Sequence, residues 1–268
     1  MPTQTINETP LYFEIEGDGA PLVLVHGSWA ETGVWDLVVP GLAHSFKVVK
    51  YDRRGHGRST ADPVQGTVHD DVEDLAALIR DLDLAPVNLV GNSGGACISL
   101  RFAAAHPDLV SKVSVHEPPF VWLLGNDPAT KPLLDSFLAE AGPVVAFLEA
   151  GRLAEASEHF VDNIALGPGA WPTLPEPVHD MFIRNARTFL GETRDPDFLA
   201  IDLDRLRTLR TPVQLTQGDM SPAMFTPIIG QLHEVLPNAT HHVFTGAGHL
   251  PQATHPDEFV AAVGEFLQ

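Results

Sequence analysis

Through the first 118 residues, short apolar runs alternate with stretches of helical periodicity. That texture is the mark of βαβ units laid around a mostly parallel sheet. Residues 11–16 alternate apolar and polar, as a half-exposed strand does. Residues 21–26 (PLVLVH), 46–51 (FKVVKY), 86–91 (PVNLVG) and 111–116 (SKVSVH) predict buried strands instead. The clearest helix covers 68–83, where Val72, Leu75, Ile79 and Leu82 recur at three- and four-residue spacing. Its opening acids, Asp70, Asp71, Glu73 and Asp74, suit the positive end of a helix dipole. They read as capping or solvent-facing groups rather than as metal ligands with His69.

From residue 118 to about 202 the alternation disappears, and Pro, Gly and aromatic residues are scattered among helical stretches near 130–141, 143–150, 152–165 and 176–190. Strand patterns return at 212–217 (PVQLTQ) and 240–245 (THHVFT), separated by a helical segment at 223–236 and followed by an amphipathic helix at 256–267. A helical insertion therefore interrupts one α/β domain.

Composition narrows the function classes. At 268 residues, 44% hydrophobic and 19% charged, the chain buries enough surface to fold as a globular protein. Its formal net charge of −19 disfavours nucleic acids and anionic membranes, whose binding rests on Lys and Arg neutralising phosphates. The one cysteine, Cys97, allows no intrachain disulfide and no cysteine-rich metal site, and it reads as a core residue. The start of the chain lacks a basic and then apolar leader, and no stretch approaches the roughly 18 apolar residues of a membrane span. A cytoplasmic protein is the expectation, and a homodimer is compatible with it.

The sharpest local chemistry is Gly91-Asn92-Ser93-Gly94-Gly95, a G-x-S-x-G pattern between a buried strand and a helix. In that context small flanking residues permit a tight corner that lifts the serine hydroxyl clear of the sheet, so Ser93 is the candidate nucleophile. A serine needs a histidine to take its proton. Of 13 histidines, His249 stands out, because Gly246-Ala247-Gly248-His249 links the last predicted strand to the last helix. The turn His26-Gly27-Ser28-Trp29 ends the strand expected beside that of Ser93. The backbone N–H groups of Ser28 and Gly94 are the candidate oxyanion donors. The run Tyr51-Asp52-Arg53-Arg54-Gly55-His56-Gly57-Arg58-Ser59 reads as a structural turn whose charges satisfy one another.

HGSW, YDRRGHGRS, GNSGG and GAGH occur in the order found in α/β-hydrolases, and over essentially its whole length the chain resembles a capped member of that superfamily. The resemblance implies an α/β-hydrolase fold: an eight-stranded, mostly parallel sheet flanked by helices, with a helical cap inserted after strand 6. The core would be 1–118 and 203–268, and the cap 119–202. In many members the triad acid lies three residues after the glycine ending the penultimate strand, but here that position holds Ser221, and Asp219 comes two residues too early. Glu117, at the end of the strand after the nucleophile helix, occupies a position other members use. Zearalenone lactonases are similar in having a Ser–Glu–His arrangement of this kind. Glu117 is favoured over Asp219 on geometry and chain order, each having a plainer reading: a hinge anchor before Pro118 and Pro119, and a turn residue capping the helix near 223.

The resulting expectation is a cofactor-free serine hydrolase of the carboxylesterase or lactonase type, with Ser93, His249 and Glu117 as its triad. No metal-ligand spacing or dinucleotide fingerprint is found, and the serine at the elbow disfavours the dehalogenase and epoxide hydrolase chemistries. The insertion is rich in Phe and Trp and poor in basic residues, which suits a small hydrophobic ester or lactone. Trp29, Phe120, Trp122 and Trp171 are the candidate substrate-binding residues. Two other readings use the same residues: C–C bond hydrolysis or cofactor-free haloperoxidase or acyltransferase chemistry on one triad, and a ligand receptor on a hydrolase scaffold.

Overall fold

The computed structural model describes residues 3–59 and 66–268. Eight strands, β1 (Thr3–Ile6), β2 (Thr9–Glu16), β3 (Ala20–Val25), β4 (Phe46–Tyr51), β5 (Val87–Asn92), β6 (Val110–His116), β7 (Val213–Gly218) and β8 (Ala239–Phe244), form one sheet in the order β1-β2-β4-β3-β5-β6-β7-β8. The pairs β1/β2 and β2/β4 are antiparallel and all others parallel. The fold is therefore the one the resemblance implied. Periodicity alone did not reveal β1, because three of its four residues face solvent and it carries no apolar run.

Helices cover both faces. Alternation along β3 sends Val23 and Val25 into one core with Leu75 and Ile79 of α2 (Val68–Asp81), Ile98 of α3 (Gly94–Ala105) and Ile228 of α9 (Phe225–Val235). Leu22 and Leu24 point the other way, onto Val39 and Leu42 of α1 (Val39–Leu42) and Phe259 and Val263 of α11 (Pro256–Leu267). Full burial of each such side chain contributes about 1.5–3 kcal/mol. The short α10 (Pro251–Thr254) leads into α11.

Between β6 and β7 the chain is helical: α4 (Lys131–Glu149), α5 (Leu153–Phe160) running on into a π-helical turn at Val161–Ala165, α6 (Glu176–Asn185), α7 (Thr188–Arg194) and α8 (Leu203–Arg207). The expected break near residue 142 does not occur, and α4 continues through Pro143. Its two ends are held by separate cores, Leu134 on the main domain and Val144 and Leu148 within the insertion. That packing outweighs the one backbone hydrogen bond a proline removes. Conversely, the single stretch expected over 176–190 is split into α6 and α7. The insertion's own core gathers Phe160, Ile164, Phe182 and Phe189 around Trp29 of the main domain.

The acids of α2 do more than cap it. Asp70 forms a capping box with Thr67, but Asp71 takes both ends of the fully buried Arg53 guanidinium (3.2 and 2.9 Å), and Asp74 takes that of Arg54 (2.9 and 2.7 Å). Arg53 also reaches Glu192 of α7 at 3.1 Å, tying the insertion to the main domain. Within the 51–59 run, only Arg58 is satisfied locally, by Asp52. His69 pairs with Asp197. No helix of the described residues is long and apolar enough to cross a membrane.

Candidate active site

Ser93 sits between β5 and α3 at φ 55°, ψ −122°, a left-handed corner that a non-glycine residue adopts only when its surroundings hold it there. Its N–H donates to the His116 carbonyl (2.9 Å), and its carbonyl accepts from Ala96 and Cys97, so both sides of the corner are fixed. Gly95 is required by space, since a Cβ there would lie 2.0 Å from the Val25 carbonyl oxygen. The Ser93 side chain does not cap α3, which leaves the hydroxyl free of the helix it begins.

The 26–29 turn packs directly on this corner. A Cβ on Gly27 would lie 2.9 Å from that of Ser93, and one on Gly94 would lie 3.2 Å from the Ser28 nitrogen. Gly94 and the Ser28 amide are thus neighbours beside Ser93. Trp29 takes φ 63°, and its ring turns away into the insertion to stack on Phe160 at 4.7 Å.

Glu117 follows β6 at φ 48° and is fully buried. Its Oε1 accepts the Gly218 N–H at 2.8 Å, and its Oε2 lies 2.6 Å from His249 Nδ1. Gly218 must lack a side chain, because a Cβ there would stand 2.3 Å from the Ala247 carbonyl in the loop that delivers His249. Asn92 Nδ2 donates to the His249 carbonyl (3.1 Å), and the imidazole stacks on Phe225 at 4.8 Å. Asp219 is elsewhere: it accepts the Gly246 N–H at 2.7 Å and shapes the turn after β8. Burial opposes ionisation of Glu117, but the adjoining His116 and His249 rings outweigh it and hold the carboxyl well below the usual carboxylate range. Burial pushes the Cys97 thiol up to about 12, which suits a packed residue rather than a second nucleophile.

His116, Glu117 and His249 present ligand atoms within 4.8 Å of one another. Donors around a tetrahedral zinc at about 2.0–2.1 Å would stand roughly 3.3 Å apart. The 2.6 Å between Glu117 and His249 is a charge-assisted hydrogen bond instead.

Two small cavities, about 30 and 40 Å³, meet at Ser28, Ser93, Phe160, Ala165 and His249. Phe137, Ile164, Phe189, Leu199, Met224 and Phe225 wall the first, and Val34, Leu166, Met181, Phe182 and Leu250 the second. Larger depressions, beside Arg101 and Arg205 and beside Glu31 and Arg184, include neither Ser93 nor His249.

Four aromatic residues expected to bind substrate do not line either cavity. Trp29 is buried behind Phe160, and Phe120 lies in the main core with Arg101 over its ring. Trp122 is 46% exposed, and Trp171 stacks on His179. The walls come instead from helix faces whose inward direction depends on tilt, so their residues looked like ordinary core in the sequence. His116, whose ring lies beside Glu117 and His249, was not singled out in the sequence, although a histidine at the inner end of a buried strand is unusual.

A model of the alpha/beta hydrolase family matches residues 22–262. The (E)-2-((N-methylformamido)methylene)succinate hydrolase of Acinetobacter baylyi is 37% identical over 109 residues, a match spanning 41% of this chain and 41% of that protein. The pimeloyl-[acyl-carrier protein] methyl ester esterase of Photobacterium profundum is 24% identical over 97% of this chain and 99% of its own length. An alpha/beta hydrolase from Sphaerobacter thermophilus superposes with a TM-score of 0.79 at 26% identity, covering 100% of this chain and 99% of the other. The matched family model, the sheet order and the strained serine corner agree: this chain belongs to the alpha/beta hydrolase family.

Proposed function

We propose that this protein hydrolyses a carboxylic ester or lactone of a small hydrophobic molecule through an acyl-enzyme on Ser93. The observation that carries the reading is the 2.6 Å contact between buried Glu117 and His249 Nδ1, in a cavity shared by His249 and Ser93. With Nδ1–H donated to Glu117, the His249 Nε2 is the lone pair available to accept the serine proton.

Ser93 attacks the carbonyl as His249 takes its proton, and Glu117 orients and stabilises the imidazolium. The oxyanion rests on the Ser28 and Gly94 N–H groups, donors worth about 3 kcal/mol each in comparable sites. His249 returns the proton to the leaving alkoxide, then activates the water that releases the acid. A lactone's alcohol stays tethered to the acyl group, so water must arrive before reclosure.

The insertion acts as a cap. The two cavities are far smaller than the roughly 300 Å³ at which ligand pockets begin, so substrate entry requires α4–α7 to move. The walls carry no Lys or Arg, which supports an uncharged substrate. The name of the Photobacterium relative accords with ester cleavage.

The test compares wild type with Ser93→Ala on 4-nitrophenyl acetate and a panel of lactones, with a fluorophosphonate as active-site label. Loss of both turnover and labelling in a folded variant is expected. Retained turnover in Ser93→Ala refutes the mechanism, and a vinylogous diketone cleaved faster than every ester would replace ester hydrolysis by C–C hydrolysis.

A further inference from the structure

Of the buried histidines that the proposed reaction does not use, His26, His56 and His116, only His116 lies against Glu117 and His249. His116 ends β6 one residue before Glu117, is 2% exposed, and packs its ring 6.0 Å from that of His249 and 5.9 Å from Phe244. Its Nδ1 lies 3.0 Å from Thr216 Oγ1 on β7. Its Nε2 lies 3.4 Å from Glu117 Oε2, the oxygen that His249 also addresses, and makes no closer hydrogen bond among the described residues.

Electrostatics selects the tautomer. If Nδ1 carried the proton, the Nε2 lone pair would face a buried carboxylate with nothing between them. The Thr216 hydroxyl has two acceptors in reach, the Val115 carbonyl at 3.3 Å and His116 Nδ1 at 3.0 Å; donated to the nearer Nδ1, it leaves Nε2–H facing Glu117 Oε2, and that contact is attractive. A carboxylate oxygen has two lone pairs, so Oε2 can accept from His116 and His249 together while Oε1 holds the Gly218 N–H. The 3.4 Å separation is long for a hydrogen bond, as contacts at a resting active site commonly are before they tighten with the reaction. His116 and His249 are the titratable side chains that act most strongly on Glu117, and Glu117 and His249 those that act most strongly on His116.

We propose that His116 is a positioning residue: its Nε2–H, facing Glu117 Oε2 across 3.4 Å, holds the carboxylate as acceptor of the His249 Nδ1–H. The inference rests on the hydrolase reading. His116 touches no substrate in this role and acts only through Glu117. Burial keeps its imidazole neutral, so it supplies a donor without adding a charge.

His116→Phe removes the donor and keeps a ring, and His116→Gln restores an N–H. In His116→Phe, kcat for 4-nitrophenyl acetate should fall about tenfold with KM within about twofold, since the lost support is felt as charge develops on His249. The acid limb of the kcat/KM profile should move to lower pH, because a carboxylate no longer held in place stabilises the imidazolium less. His116→Gln should recover most of kcat. Thr216→Val, which unlocks the tautomer from the other side of the ring, should give a smaller loss in the same direction and serves if His116→Phe does not fold.

A readout without substrate separates this proposal from the reaction itself. The hydrogen-bonded Nδ1 proton of His249, identified by its loss in His249→Gln, is followed by one-dimensional proton NMR. It should shift upfield or broaden in His116→Phe and return in His116→Gln. Wild-type kcat, pH profile and proton position in His116→Phe would overturn the proposal. So would equal impairment of the Phe and Gln variants alongside equal losses of Tm, which is the signature of packing alone. Turnover surviving in Ser93→Ala refutes the hydrolytic mechanism but leaves the proton measurement to decide the role of His116.

Discussion

Glu117 combines a left-handed backbone and complete burial, each of which costs stability, with two hydrogen bonds on its carboxylate that offset the cost. Glu117→Gln keeps the shape but loses the charge and can present an N–H to His249 Nδ1, so kcat should fall by about 10³–10⁴. Asp219→Asn should leave kcat within about threefold, and steady-state kinetics on the same ester separates the two carboxylates. The pH dependence has a definite sign. Because the folded-state pKa of Glu117 is lowered below its ordinary 4.5, its stabilising contribution is complete above that pH and is lost as pH falls toward the folded value. Urea midpoints measured from pH 6 to pH 3 should therefore fall less steeply in Glu117→Gln than in wild type. Ser93, Glu117 and His249 were legible as candidates because the serine corner, the strand-end acid and the loop histidine sit at positions that chain order and strand ends define. The role of His116 was not, since one strand residue among several buried ones gives no hint of which oxygen its ring will meet.

Among the elements, the joint between α2, the 51–59 turn and α7 is built on a buried cation. Arg53 is fully buried, with Asp71 18 residues away and Glu192 139 residues away in sequence. Glu192→Ala removes one of two carboxylates from a buried cation that Asp71 still pairs, and should destabilise the protein by about 1.5–3 kcal/mol in urea unfolding. The acids of α2 looked like helix caps because periodicity reports the face of a helix but not the arginine brought to it from another strand. Secondary structure across the main domain was legible from alternating strands and the long α2. Inside the insertion, Gly142-Pro143 suggested a stop that packing at both ends of α4 overrides. Phe160, shared by both cavities, is the element contact with the plainest consequence for specificity. Phe160→Ala should merge the two lobes and raise kcat/KM for a naphthyl ester relative to the acetate by about tenfold, measured by competition.

At the scale of the whole molecule, the charge of −19 surrounds an apolar site. An ester bearing a free carboxylate should react more slowly than its neutral methyl ester, and raising NaCl from 50 to 500 mM should narrow the gap several-fold by screening the field. A neutral ester should show little salt dependence. His26, which accepts the Arg53 N–H at 2.9 Å, is held neutral by burial and by the nearby guanidinium, with its pKa pushed down to about 3. The unfolded chain therefore takes up a proton there near pH 6.5 that the native one refuses, and His26 adds to acid lability below that pH. One further consequence lies in the pairing of β6 with β7, where His116 meets Thr216 across a sequence separation of 100 residues. The entropy of closing such a loop grows only with the logarithm of its length, so halving the segment would recover only about 0.6 kcal/mol. Descendants of this chain can thus lengthen, trim or exchange the segment over Ser93 at little thermodynamic expense, while the sheet that aligns Glu117 with His249 stays as it is.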